Sequence, residues 1–281
     1  MSLRIITKSI WENPGNRGHR IRKSLAAFRW QAEKHTIARC RKMRLANQTW
    51  FMAHPDCVVS SALIYADWPE YHELMFLRSH LQPADILIDV GAYVGHFSLL
   101  LSDRVKPENI YTFEPLPVNS SRLIENWKLN GWPLTNHSQV AVGRADGTVY
   151  VSRQSVPSTT NQIAAASNNE GVAVPMIALD ERVANWRDRP VGLIKIDVEG
   201  YEAEVLSGSR RLLKEIRPRL IMFESLGGSL APPIATVLSE AGYKVFQLDE
   251  NGRPDFSGDT AENLLAVPEE SATALLTKSS R

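Results

Sequence analysis

The sequence predicts an α/β fold: a doubly wound, mainly parallel sheet of seven strands, preceded by a basic N-terminal extension. Three observations predict it. Short apolar runs, beginning with Ile86-Leu-Ile-Asp-Val90, recur along the chain and alternate with segments of helical period, which implies a parallel sheet covered on both faces. Four of these runs end in an acid, namely Asp89, Glu114, Asp197 and Glu224. In an open α/β sheet such strand ends meet at one edge, where ligands bind. The first run also opens into a glycine turn, Gly91-Ala-Tyr-Val-Gly95, followed by residues 96–101, which can be helical. Strand, glycine turn and helix is the unit that holds nucleotide-like ligands.

The elements follow in order. Residues 1–20 carry few apolar side chains and include Asn13-Pro-Gly-Asn-Arg-Gly-His19, so they are expected to be irregular. Residues 21–45 can form a helix, with Leu25, Phe28 and Ala32 on one face and Arg22, Lys23, Arg29 and Lys34 around it. Trp50-Phe-Met52 and residues 57–65 flank His54-Pro-Asp56 and read as a hairpin. Residues 69–80 make an amphipathic helix that Pro83 stops.

From there strands are expected at 86–90, 109–114 and 136–142, with a helix at 118–130 that carries Leu123 and Trp127 on one face. Strands at 147–152 and 172–177 flank a polar segment, 155–171, the candidate loop or lid. A short helix at 178–186 leads to a strand at 191–197 and a helix at 199–216, whose Val205, Leu206, Leu212, Leu213 and Ile216 form a stripe. A strand at 219–224, a helix marked by Ile234, Val237, Leu238 and Ala241, and strands at 243–248 and 263–267 complete the sheet. The last dozen residues are expected to fray. The chain thus divides into a basic, partly helical extension (1–45), a hairpin and helix leading into the core (46–82), a core domain (83–268) and a tail (269–281).

Composition bounds the class. With 281 residues, 43% hydrophobic and 22% charged, the chain suits one large domain with an appendage. Two cysteines, Cys40 and Cys57, offer no disulfide framework and fit a reducing compartment. No apolar run is long enough to span a bilayer and no signal-peptide pattern opens the chain, so the expected location is the cytoplasm. The net charge of +1 conceals an asymmetry. Residues 1–45 hold 12 Lys or Arg against two acids, and the remaining 236 residues hold 20 bases against 29 acids. A basic arm on an acidic body either docks on its own domain or touches something anionic, such as a phosphate, a membrane surface or a nucleic acid.

The glycine loop narrows the ligand. A dinucleotide fingerprint needs a glycine at the position of Tyr93, where backbone must approach a pyrophosphate. Asp89 adds a carboxylate that repels phosphate and suits a cation. S-adenosylmethionine fits, having a nucleoside, an amine and a sulfonium but no phosphate. Glu114 lies 23 residues beyond Gly91, close to the ~20-residue spacing at which an acid on the second strand accepts hydrogen bonds from a ribose diol. Four acids at one edge would be costly like-charge crowding unless cations or hydroxyl donors bind there. Lys195-Ile-Asp-Val-Glu-Gly-Tyr-Glu202 concentrates ionisable groups at a strand-to-helix junction, with Lys195 and Asp197 on one face of the strand. Lys195 also suits a purely structural ion pair with Asp197 or Glu224.

Together, Ile88-Asp-Val-Gly-Ala-Tyr-Val-Gly95, Thr112-Phe-Glu-Pro-Leu-Pro-Val-Asn119 with Asn130, and Ile194-Lys-Ile-Asp-Val-Glu-Gly-Tyr-Glu-Ala-Glu-Val-Leu-Ser-Gly208 resemble the FkbM family of S-adenosylmethionine-dependent methyltransferases. The resemblance spans residues 70–268; Tyr93 stands where the family typically has Asn. It implies a class I methyltransferase fold, Rossmann-like, acting on hydroxyls of sugars, glycolipids or secondary metabolites. It also implies a cofactor site formed by Asp89, Gly91, Ala92, Tyr93, Gly95, Glu114, Pro115 and Asp197, with Ala141 and Val142 flanking the adenine. Asp197 and Glu199 would line the reacting centre as base or orienting groups, with His96 a further candidate. No metal is expected, although Asp197, Glu199 and Glu224 have the oxygen ligands that suit Mg²⁺.

The alternatives are a nicotinamide-dependent oxidoreductase, disfavoured by Tyr93 and Asp89, and a nucleic-acid methyltransferase guided by the basic arm, disfavoured by the acidic body. The expected partner is therefore a small-molecule or glycan acceptor, with an anionic acceptor or peripheral membrane contact through residues 1–45 left open. The oligomeric state is not legible.

Overall fold

A computed structural model describes residues 3–152, 163–164, 171–225 and 228–278. Its N-terminal part runs through α1 (Leu3–Trp11), α2 (Arg20–Thr36), a hairpin of Arg41–Arg44 against Trp50–Ala53, α3 (Val58–Tyr65) and α4 (Tyr71–His80). The central sheet then begins. Its strands are β1 (Ile86–Val90), β2 (Ile110–Phe113), β3 (His137–Ser138), β4 (Val191–Ile196), β5 (Leu220–Glu224), β6 (Tyr243–Leu248) and β7 (Asn263–Pro268). Between them lie α5 (His96–Leu101), α6 (Pro117–Leu129), α7 (Glu202–Ser207) and α8 (Pro232–Glu240), and α9 (Glu269–Lys278) closes the described chain.

The strands lie in the spatial order β3-β2-β1-β4-β5-β7-β6, with the two-residue strand Pro254–Asp255 added beyond β6. All neighbours from β3 to β5 are parallel, and β7 runs antiparallel to both β5 and β6. The order in which strands are added to the sheet reverses between the parallel neighbours β1 and β4, which puts the topological switch point, and so the ligand crevice, at the carboxyl ends of those two strands.

Period-two alternation splits the core. Leu87, Leu193, Met222 and Leu265 face one layer, built with Trp30, Phe51, Leu77 and Phe97. Ile86, Ile88, Ile194, Ile196 and Phe223 face the other, packed on Leu206, Leu213 and Leu238. The first layer draws on residues from α1 to the hairpin, so the N-terminal segment is built into the core of the sheet domain.

Several elements depart from the sequence reading. Residues 3–11 are helical, because Ile6 and Ile10 (one turn apart) bury into the core and Asn16 Nδ2 donates to both Ile10 O and Tyr65 O at 3.0 and 2.9 Å. The hairpin partner of Trp50–Ala53 is Arg41–Arg44, and residues 58–65 form a helix instead. The charged strand escaped notice because cations stabilise it: Lys42 and Arg44 stack on the Trp50 ring at 4.2 and 4.3 Å. α3 is buried on nearly every side, so it shows no amphipathic period to separate it from a strand.

The expected strand at 136–142 divides between β3 and a separate strand, Ala141–Val142. The latter joins Gly171–Ile177, Gly147–Ser152 and Ile163–Ala164 in a four-stranded side sheet. The expected helix at 199–216 is α7 followed by a π-helical turn, Leu212–Ile216. Close approach of Gly208 to Gly143, where a Cβ would lie 2.0 Å from the Gly143 carbonyl oxygen, accompanies the break. The tail is helical to Lys278, held by Ala272 and Leu275 in the core. Most of the candidate lid, 155–171, lies outside the described residues.

Candidate active site

Two adjacent strands place the central charges. Asp89 on β1 and Lys195 on β4 are register partners, and both point to the face covered by α5. Asp89 is fully buried and accepts a 2.6 Å hydrogen bond from Ser98 Oγ. The Lys195 ammonium lies 3.8 Å from Asp89 Oδ1 and donates to Asp197 Oδ2 at 2.9 Å. Burial pushes the Asp89 carboxyl up, against the pull of Lys195 and Ser98. At Asp197 burial acts the same way but is overridden by the Lys195 charge and hydrogen bond, so this carboxyl is held below its usual range. Burial alone would lower Lys195; the Asp197 and Asp89 charges raise it, so it stays an ammonium.

The turn after β1 is fixed by contacts that exclude side chains. Gly91 has φ 75°, and a Cβ there would sit 1.8 Å from the Asp197 carbonyl oxygen. Gly95 has φ 77°, with Trp127 of α6 2.3 Å from where its Cβ would be. Ala92 is buried between them. Tyr93 also takes the left-handed conformation, φ 52°, and its N–H donates to Glu114 Oε2 at 2.9 Å. Its partly buried ring joins the core beside Cys57 and Arg122.

Glu114 is the other anchor of the crevice. Its Oε1 accepts from the Leu116 N–H at 2.9 Å and Asn119 Nδ2 at 3.2 Å. Burial pushes this carboxyl up to about 7 in spite of those donors. Half-buried Pro115 stiffens the turn beneath it. Ala141 and Val142 are buried in the side sheet, and Ala141 shares a small apolar cluster with Leu116, next to this turn.

Beyond β4 the chain turns through Glu199, a non-glycine residue at φ 55°. Burial, and then the charges of Asp197, Glu224 and Glu202, push its carboxyl up to about 8. Glu224 at the end of β5 is pushed up to about 7 by burial and by Asp197. Among the described residues, Asp197, Glu199 and Glu224 each bring one carboxylate oxygen within 4.8 Å of the others, close enough to share a cation. His96, the first residue of α5, is held down at about 3 by burial and by the Lys195 charge, and is therefore neutral.

The sequence-predicted residues thus fall into two connected groups. Asp89, Asp197, Glu199 and His96 gather around Lys195 and Glu224, while Gly91 to Gly95, Glu114, Pro115 and Ala141 line the neighbouring turns. Sequence reasoning missed Ser98 and Glu70. Ser98 gave no signal beyond its place in the first turn after the loop. Glu70 precedes α4 at φ 50°, and its charge is felt together with those of Lys195, Asp197 and Glu224, a link only the tertiary fold makes.

The donor set can be tested against S-adenosylmethionine. Asp89 Oδ1, Glu224 Oε2 and His96 Nδ1 are buried polar atoms with no hydrogen-bond partner among the described residues. Unsatisfied acceptors and raised carboxyls at a strand edge suit a ligand carrying an amine, a sulfonium and a ribose diol, and they disfavour a phosphate. The residues fit.

This strand order, with a seventh strand inserted antiparallel between the fifth and sixth, together with the glycine turn and acidic edge, defines a class I methyltransferase. Comparison with known proteins narrows the class. The chain belongs to the FkbM methyltransferase family: residues 89–245 match the Methyltransferase FkbM domain. The methyl donor is S-adenosylmethionine. A hexuronic acid methyltransferase, AglP of Haloferax volcanii, is 26% identical over 184 residues, 61% of this chain and 69% of the relative. Methyltransferase 1 of Beauveria bassiana is 26% identical over 142 residues, 43% of this chain and 57% of its own length.

Solved structures align more loosely. TYW2 of M. jannaschii in complex with AdoMet has 13% identity and a TM-score of 0.40, covering 81% of this chain and 84% of that one. The precorrin-6y C5,15-methyltransferase of Geobacter metallireducens has 14% identity and a TM-score of 0.39, covering 71% and 89%. Overlaps this loose carry no argument about the acceptor.

Proposed function

We propose that this methyltransferase acts on oxygen, transferring the methyl group to a hydroxyl of a sugar, glycolipid or secondary metabolite by direct in-line displacement. The observation that carries the proposal is the pairing, at one strand edge, of an ionised Asp197 fixed by Lys195 with a Glu199 carboxyl raised to about 8. A general base works best when its pKa lies near the operating pH, and Glu199 meets that condition. The hexuronic acid named for the Haloferax volcanii relative adds support for a sugar acceptor.

When bound, the cofactor supplies a methyl group already activated on a sulfonium. Glu114 would accept the ribose hydroxyls with the lone pairs its backbone donors leave free. Asp89 and Asp197 would take the amine, Gly91, Ala92, Tyr93 and Gly95 would shape the turn against it, and Pro115, Ala141 and Val142 would flank the adenine. Glu199 would accept the hydroxyl proton at its carboxylate as the oxygen attacks, an effect worth roughly 10²–10⁴-fold. His96, held neutral, is a weak base and would orient the acceptor by hydrogen bonding.

The three-carboxylate geometry favours one second reading, a divalent cation shared by Asp197, Glu199 and Glu224. The Lys195 ammonium already supplies positive charge to Asp197, so activity is expected to survive EDTA unchanged; loss with EDTA and recovery with Mg²⁺ would establish the cation. The oxygen assignment is tested with methyl-labelled S-adenosylmethionine and a panel of hexuronic-acid oligosaccharides, neutral glycans and amines. Label recovered as a methyl ether supports it. Label recovered on nitrogen overturns it.

A further inference from the structure

Helix α2 has two unlike faces. Ala27, Trp30 and the stem of Lys23 are buried. Trp30 Nε1 donates to Ser61 Oγ at 3.0 Å, and Lys23 Nζ lies 2.6 Å from Asp67 Oδ1 and donates to Ile64 O at 3.3 Å. These bonds lock the helix in rotation. The opposite face therefore stays outside, and it is apolar: Ile21, Leu25 and Phe28, spaced four and three residues apart on one stripe, are 72%, 66% and 78% exposed. Ile37, just past the helix end, is 67% exposed. Such residues inside a segment of otherwise high charge form a patch that calls for a partner.

The surroundings say which. Arg22 and Arg29 flank the stripe, and Trp11 at the end of α1 is exposed beneath the Arg20 guanidinium at 5.7 Å. Residues 1–45 carry ten more positive than negative charges, and the rest of the chain carries nine more negative than positive. An outward apolar stripe bordered by cations and an amphipathic indole is the pattern of a helix lying in a bilayer interface. The acidic body would be repelled from an anionic leaflet, so charge fixes which side of the molecule faces it. Among the described residues no helix is long and apolar enough to cross a membrane, so the contact is in plane.

We propose that the Ile21-Leu25-Phe28 face of α2 docks the enzyme on the surface of an anionic membrane. The inference is independent of which atom the enzyme methylates.

The test is co-sedimentation of the full chain with vesicles of phosphatidylglycerol and phosphatidylcholine, and with phosphatidylcholine alone. The chain should pellet with anionic vesicles and not with neutral ones, and high salt should release it. Leu25→Ser combined with Phe28→Ser should weaken partition by about tenfold or more, with an unchanged thermal melt because both side chains are exposed. Arg22→Glu should weaken it independently of the apolar stripe. No pelleting with anionic vesicles, equal pelleting of the double variant, or a stripe-dependent dimer without vesicle binding would each overturn the proposal.

Discussion

Glu199 shows how a single residue acquires its chemistry from its neighbours. Burial and three nearby carboxylates hold its proton on to about pH 8, so it acts as a base only above that range. The account predicts that the methyl-transfer rate rises with pH through about 8 and levels off beyond. Glu199→Gln should remove this limb and cost roughly 10²–10⁴-fold in kcat; a pH–rate profile that keeps its limb in the variant would move the base elsewhere. Gly91 is equally specific. At φ 75° with the Asp197 carbonyl 1.8 Å from where a Cβ would lie, Gly91→Ala must force β1 and β4 apart. The variant should lose cofactor binding and melt at lower temperature, as titration and calorimetry would show. Both residues were legible in the sequence, because acids and glycines at strand ends announce themselves. The raised carboxyl was not, since it depends on burial and on Glu224 converging from another strand.

At the scale of elements, α6 joins the N-terminal hairpin to the glycine turn after β1. Asn126 accepts from the Met52 N–H at 2.8 Å and donates to Val94 O at 2.9 Å. Asn130 brackets Trp50, accepting from its N–H at 2.7 Å and donating to its carbonyl at 2.8 Å. Asn126→Ala would leave the buried Val94 carbonyl and the half-buried Met52 N–H without these partners, at a cost of about 1–3 kcal/mol for the buried group and less for the other. It should lower the melting temperature and loosen cofactor binding together. A variant that melts earlier yet binds unchanged would show that the hairpin supports the fold without shaping the loop.

Asn130 was visible as part of the family resemblance, but its hairpin partner was not. Arg41-Lys-Met-Arg44 reads as the end of a helix over residues 21–45 until the Trp50 ring is placed beneath its cations. The opposite error arose at α3, where a run of Val, Ser, Leu and Ile buried all round resembles a strand. Strands β1, β2, β4 and β5 of the parallel sheet were legible because burial on both faces writes an apolar run into the sequence, whereas β3 is a polar, half-buried pair of residues. Elements that pack against the sheet from one side, or by polar contacts, leave weaker marks.

The whole molecule carries the consequences of placing many acids at one edge. Glu114 titrates near 7 in the folded chain against 4.5 ordinarily, and Glu199 and Glu224 shift in the same direction. The folded state then holds more protons than the unfolded state between those values. The stability this gives is complete below about pH 4.5 and is lost as pH rises through about 7 to 8. Asp197, held low, works in the opposite sense and favours the fold until strong acid. Between about pH 6.5, above which the neutral His96 no longer opposes them, and about pH 8 the raised carboxyls dominate, so the melting temperature should fall over that interval and level off beyond it. A flat or rising profile would mean that the edge carries less uncompensated charge than the geometry implies.

The central claim, that the strand-end acids form an S-adenosylmethionine site anchored by Glu114, is tested most directly by calorimetric titration with S-adenosylhomocysteine, run beside NADH. The account predicts micromolar binding of the first, no heat from the second, and a loss of tenfold or more, about 1.4 kcal/mol, in Glu114→Ala. Undiminished binding in the variant, or binding of NADH in place of S-adenosylhomocysteine, would contradict it.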